Sequence, residues 1–277
     1  MLRYQRLGYF DMKEMNFSWE CIEKSIPEMG KLRPNHGFGL YTDMEVCYNI
    51  LFYEHMETKH PFGPTIPYAL KGIELGYEYF YGKWRDSFQR FYYSPVLTRE
   101  ETRHETSWVN EITYCFLFSL LMNDVNSLLS FVDWIGDDLY ADLFDSQYTA
   151  YWKVLAYALK NNTLTECESH KREIENSSRR IYKFLLACLE AILNQDVKLF
   201  ETTFIKYMKL YIKQVTDPKK KNSKYSYYYM SLDGSILYNY AHNTLKLELP
   251  IFTEEIMDRI LTSESCGLLK MDGEDDK

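Results

Sequence analysis

Apolar residues recur every three or four positions along most of this chain, the period of an α-helix with one buried face. Residues 12–25 form the first short helical pattern. Pro27, Gly30, Pro34, Gly37 and Gly39 then interrupt it. A second helix is expected over 40–58, with Val46, Ile50 and Tyr53 on one face. The segment 59–67, KHPFGPTIP, is a break, and a third helix follows over 68–84 on Leu70, Ile73, Tyr77 and Phe80. After a loop around Ser94-Pro95, Thr98 with Glu100 and Glu101 has the form of a helix start, a capping hydroxyl followed by acids in the first turn. The helix it opens runs over 100–122. Its second half, from Ile112 to Met122, is apolar nearly all round, which places it at the centre of the fold.

Asn123-Asp124 ends that helix, and Asp124 can cap the next, whose stripe is Val125, Leu128, Val132 and Ile135. Gly136 breaks it, and a further helix continues to residue 160. A polar connection over 161–169 leads to a helix over 171–193 carrying Ile181, Leu185, Cys188 and Ile192. Asn194-Gln195-Asp196 turns the chain into another helix on Val197, Phe200, Phe204 and Tyr211. This second hairpin echoes the one around Asn123-Asp124. The basic run 216–224 reads as a solvated loop, a helix spans 231–243, and a last short one spans 253–261. No strand pattern is found. The expected fold is all-α: stacked antiparallel helical hairpins in one bundle-like or solenoid-like domain. Residues 1–95 would form an N-terminal helical region packed on a hairpin domain at 96–270, with 271–277 a frayed acidic tail.

Charge adds a local feature. From His104 to Trp152 there is no Lys or Arg, but there are eight acids: Glu105, Glu111, Asp124, Asp133, Asp137, Asp138, Asp142 and Asp145. The other 32 acids match the chain's 32 bases, so this segment carries the whole net charge of −8. Asp138, Asp142 and Asp145 share one helical face, and Asp133 and Asp137 share another. The candidate partner-binding surface is therefore Asp133, Trp134, Asp137, Asp138, Tyr140, Asp142, Asp145 and Tyr148, with Tyr151 as a further aromatic anchor. The same residues have an alternative role as core aromatics and solvated acids. An acidic balance disfavours nucleic acid and suits a basic partner.

Candidate chemistry is sparse. The six cysteines are scattered without a C-x-x-C pair, as expected of reduced, buried thiols in a cytoplasmic protein. No secretory signal is evident, and the longest apolar run is shorter than the roughly 20 residues a membrane span needs. Two Glu-x-x-His pairs, Glu57/His60 and Glu101/His104, have the spacing of di-metal bundle ligands. Both lie in charged or helix-terminal surroundings, where exposure suits them better than ligation. No catalytic, cofactor or metal residue is assigned.

From Glu105 to Pro250 the order of features resembles the immunity protein 49 family of bacterial polymorphic-toxin systems. Trp108, in Thr106-Ser107-Trp108-Val109-Asn110, matches a Trp that opens that family's central helix. Asn123-Asp124 through Ile135 is similar to its turn and Leu-rich helix. The stretches from Ile181 to Lys213 and from Met230-Ser231-Leu232 to His242 follow in the same order. A Trp that the family carries after the second hairpin is not evident in this chain, and residues 1–95 lie outside the resemblance. The resemblance implies a non-enzymatic, cytoplasmic immunity protein that binds and neutralises a cognate toxin domain, with no cofactor, nucleic acid or membrane involved. A basic, nucleic-acid-targeting toxin fits the acidic face. The alternatives are a helical scaffold or adaptor without a toxin partner, and a helical-bundle di-metal enzyme.

Overall fold

The computed structural model describes residues 19–31, 36–56, 62–82, 109–135, 146–216 and 230–268. Within them the chain is all-helical, with no strand. The helices are α1 (Trp19–Ser25), α2 (His36–His55), α3 (Ile66–Tyr81), α4 (Val109–Leu121), α5 (Val125–Ile135), α6 (Ser146–Asn161), α7 (Glu168–Glu175), α8 (Arg180–Leu193), α9 (Val197–Val215), α10 (Leu232–Asn239) and α11 (Glu254–Met257), with a π-helical turn at Tyr240–Thr244.

The apolar run at 112–122 is the central helix. Every residue from Glu111 to Leu121 is buried, and α4 packs against α2, α3, α5 and α10. One continuous hydrophobic cluster runs from Leu40 to Leu268, and a smaller one of Ile22, Val46, Ile50 and Tyr53 packs α1 onto α2.

Close packing against α4 depends on two small residues of α3. A Cβ on Gly72 would lie 2.5 Å from the Phe118 ring, and one on Gly76 would collide with Cys115 Sγ. Alanine normally improves a helix by about 1 kcal/mol over glycine. At Gly76 the sign should reverse, because overpacking a tight core costs about 1–3 kcal/mol. Urea denaturation of Gly76→Ala should show a net loss of stability, and a stabilised variant would contradict this packing.

The two echoed hairpins share one turn geometry. Asn123 and Gln195 both adopt left-handed backbone, with φ of 52° and 55°. The next residue's N–H reaches back to close the preceding helix, Asp124 to Ser119 O at 2.8 Å and Asp196 to Ala191 O at 2.9 Å. The same two aspartates then cap the following helices, Asp124 Oδ1 accepting from Ser127 N and Asp196 Oδ1 from Leu199 N.

Four local expectations are corrected. Helix α2 starts at His36 and runs through Gly37 and Gly39, because helix-breaking propensity is weak against burial, and Gly39 is buried. The helix expected over 171–193 is two, α7 and α8. The chain turns at Asn176 and Ser177, and Ser177 Oγ accepts from Arg179 N at 2.9 Å, bonding that competes with a continuous helix. The helix expected to reach residue 243 changes to π geometry at Tyr240. The last helix is a single turn, followed by the turns of 258–267.

That C-terminal segment is clamped onto the core. Thr65 Oγ1 donates to Cys266 O at 2.6 Å, and His55 Nδ1 lies 2.8 Å from Ser265 Oγ. Asn243 Nδ2 and Ser263 Oγ donate to Leu120 O and Leu121 O, two of the last carbonyls of α4.

Candidate functional site

Helix α6 presents Lys153, Ala156, Tyr157 and Lys160 on one face, at helical spacing. With Val132 and Asp133 of α5, Glu166 and Cys167 of the following connection, and His170 of α7, they line a cleft of about 380 Å³. The surrounding fold fixes its walls. Tyr240 Oη donates to Asn162 Oδ1 at 2.6 Å, holding the C-terminal end of α6. Ile174 of α7 is fully buried, and Lys171 bridges to Glu190 of α8 at 3.0 Å.

Four charged groups border the cleft, and two of them form a pair. Asp133 Oδ1 and Lys160 Nζ are 2.5 Å apart, with both side chains exposed. An ion pair this open to water contributes about 1 kcal/mol or less. Partial burial and the neighbouring Glu166 hold the Tyr157 phenol above its usual range. Burial, and then the Lys153 ammonium, push the His170 imidazole below its usual value, with Glu173 pulling partly back.

Only part of the expected partner surface falls within the described residues. Asp133 is exposed on the rim of the cleft. Trp134 points into the core. It is 1% exposed, its indole N–H donates to Phe80 O at 3.0 Å, and its ring centroid lies 4.5 Å from that of Phe80. Tyr151 is fully buried beside Trp152. Neither ring offers a surface for an anchoring contact, so for both the role as a core aromatic holds. Asp137, Asp138, Tyr140, Asp142 and Asp145 lie outside the described residues, and Tyr148 belongs to α6 with its side chain outside them. Glu57, His60, Glu101, His104 and Trp108 also lie outside them.

The cation-free stretch of sequence is not cation-free in space, because α6 brings Lys153 and Lys160 to the one described member of the aspartate group. Sequence reasoning passed over Lys153, Tyr157, Glu166 and His170. The i, i+4, i+7 spacing of Lys153, Tyr157 and Lys160 carried a usable signal, whereas His170 arrives from another helix and carried none.

The other reactive groups are buried. Cys47, Cys115, Cys167, Cys188 and Cys266 are in no disulfide, and all five are buried. Burial raises the thiols of Cys47, Cys115, Cys167 and Cys188, Cys167 to about 11 and Cys188 to about 12, so they are protonated at neutral pH. Among the described residues no three His, Cys, Asp or Glu side chains are grouped to hold a metal ion, and no helix is long and apolar enough to cross a membrane.

A second groove, of about 560 Å³, runs beside α3. Glu74, Tyr77, Glu78 and Tyr81 line it together with Gly30, Leu40, Leu75 and Gly82. The Tyr77 and Tyr81 rings lie 6.0 Å apart between centroids, tilted by 36°, and Tyr81 is 44% exposed.

No family model, curated protein or solved structure matches this chain.

Proposed function

We propose that this protein is a cytoplasmic immunity protein that binds and neutralises a cognate bacterial toxin domain without catalysis. The observation that carries the proposal is the groove beside α3, where two carboxylates, Glu78 and Glu74 (the latter also paired with Lys71 at 2.8 Å), alternate with two tyrosines, one of them substantially exposed. Carboxylates beside aromatic rings suit the Lys and Arg side chains of a basic partner, through charge complementarity and cation–π contact. The four aspartates at 137–145 extend the acidic character along the sequence. The resemblance over residues 105–250 supports the toxin as partner, and a nucleic-acid-targeting toxin supplies the basic surface.

The protein immobilised and exposed to extract of its source cells should retain a toxin domain, and adding the protein should suppress that toxin's activity. Asp138→Lys with Asp142→Lys should weaken the complex and leave the thermal melt nearly unchanged, as should Glu74→Lys with Glu78→Lys. If neither pair changes the affinity, binding is not acidic in origin. If the captured partner is no toxin and no toxic activity is suppressed, the protein is a scaffold.

A further inference from the structure

We propose that the cleft between α5, α6 and α7 binds a small molecule through a phosphate-type oxyanion held between the Lys153 ammonium and the His170 imidazole. The inference does not depend on the immunity reading.

Three features of the cleft support it. First, its volume of about 380 Å³ falls within the range of small-ligand sites. Second, its positive groups are unevenly committed. Lys160 is taken by Asp133, whereas Lys153 and His170 make no hydrogen bond or ion pair with any described residue and are close enough for the ammonium to depress the imidazole. Third, Cys167 lines the cleft and is the N-cap of α7, and no side chain caps that helix's first turn. The positive end of the helix dipole therefore adds to the attraction for an anion, with the Glu168 carboxylate in the first turn partly opposing it.

The donors suit a tetrahedral oxyanion. No arginine, whose planar fork serves carboxylate and phosphate alike, lines the cleft, so the cation available is the compact point charge of a lysine. An ammonium and an imidazole are separate point donors, which can each meet a different oxygen of a phosphate. Val132 and Ala156 give the rest of the ligand an apolar wall, and the carboxylates of Asp133 and Glu166 can accept from its hydroxyl or amine groups.

The groups facing His170 are Lys153 and Glu173, with Asp133, Tyr157, Lys160, Glu166 and Cys167 around the same cleft. A bound dianion would offset Lys153 and favour the imidazolium, so binding tightens as pH falls and His170 gains its proton.

The test is a titration of the full-length protein with inorganic phosphate, followed through the imidazole NMR signals, with His170 assigned by His170→Gln. A saturable shift of the His170 signals and a rise in its apparent pKa are expected. Lys153→Gln should weaken phosphate binding roughly tenfold to a hundredfold, the usual worth of one charge-assisted hydrogen bond. Lys153→Arg should retain most of it, and acetate should give no saturable shift. The proposal is overturned if phosphate produces no saturable shift, or if Lys153→Gln, with an unchanged helical circular dichroism spectrum, binds phosphate as the parent does. Equal binding of acetate overturns the assignment to a phosphate-type group.

Discussion

Trp134→Ala should lower the free energy of unfolding by about 3–5 kcal/mol, the usual cost of deleting a buried tryptophan. The indole is 1% exposed, packs on Phe80 and donates its N–H to the Phe80 carbonyl at 3.0 Å. Truncation would leave a large cavity between α3 and α5 and an orphaned carbonyl near the end of α3. Trp134→Phe separates the two losses. It keeps much of the apolar volume and gives up mainly the hydrogen bond, so its cost should fall to roughly 1–3 kcal/mol. Chemical denaturation followed by circular dichroism measures both. A loss under about 1 kcal/mol for the alanine variant would return Trp134 to the surface and restore it as a partner anchor.

The contrast between α4 and α5 shows what the sequence made legible. From Ile112 onward α4 is apolar nearly all round, so its central position needed no knowledge of its neighbours. The hairpin turns were equally local, because Asn123-Asp124 and Gln195-Asp196 supply the left-handed residue and the cap within a few positions. Near the end of α5, Asp133 and Trp134 are adjacent, one exposed and one buried. An amphipathic period places the pair on neighbouring faces without saying which aromatic the tertiary fold covers. Phe80, which closes over Trp134, is 54 residues away in sequence. The separation of α7 from α8 was hidden for a related reason. Ile174 is the one buried residue of α7, too little pattern to reveal a boundary before Arg180. The cleft was the least legible feature, since Asp133, Lys153 and His170 come from three helices and meet only through packing.

Stability should fall as pH rises from 5 to 8, with the buried carboxyls as the cause. Burial raises Glu111 from 4.5 to about 7, against smaller opposing contributions from a backbone N–H and then from Tyr79, whose hydroxyl donates to Oε1 at 3.3 Å. Its other oxygen, Oε2, is buried without a hydrogen-bond partner. Glu45 and Asp233 are likewise raised by burial to about 7. Each of these carboxyls binds its proton more tightly in the fold than in the unfolded chain. Their contribution is fully present below the ordinary carboxyl range and is lost as pH rises toward and through about 7. For Glu111 alone the difference amounts to about 3 kcal/mol. Glu111→Gln carries no charge at any pH and can still accept from Tyr79. At pH 5 it should match the parent or fall slightly below it, since its amide N–H groups lack partners. At pH 8 it should exceed the parent, by at most about 3 kcal/mol, because the parent must then bury a carboxylate with little more than Tyr79 and a backbone N–H to solvate it. Urea midpoints of both proteins at the two pH values decide the matter, and comparing the proteins cancels every group they share. If the two lose the same stability between pH 5 and 8, Glu111 is ionised in the fold at little cost, and another group carries the dependence.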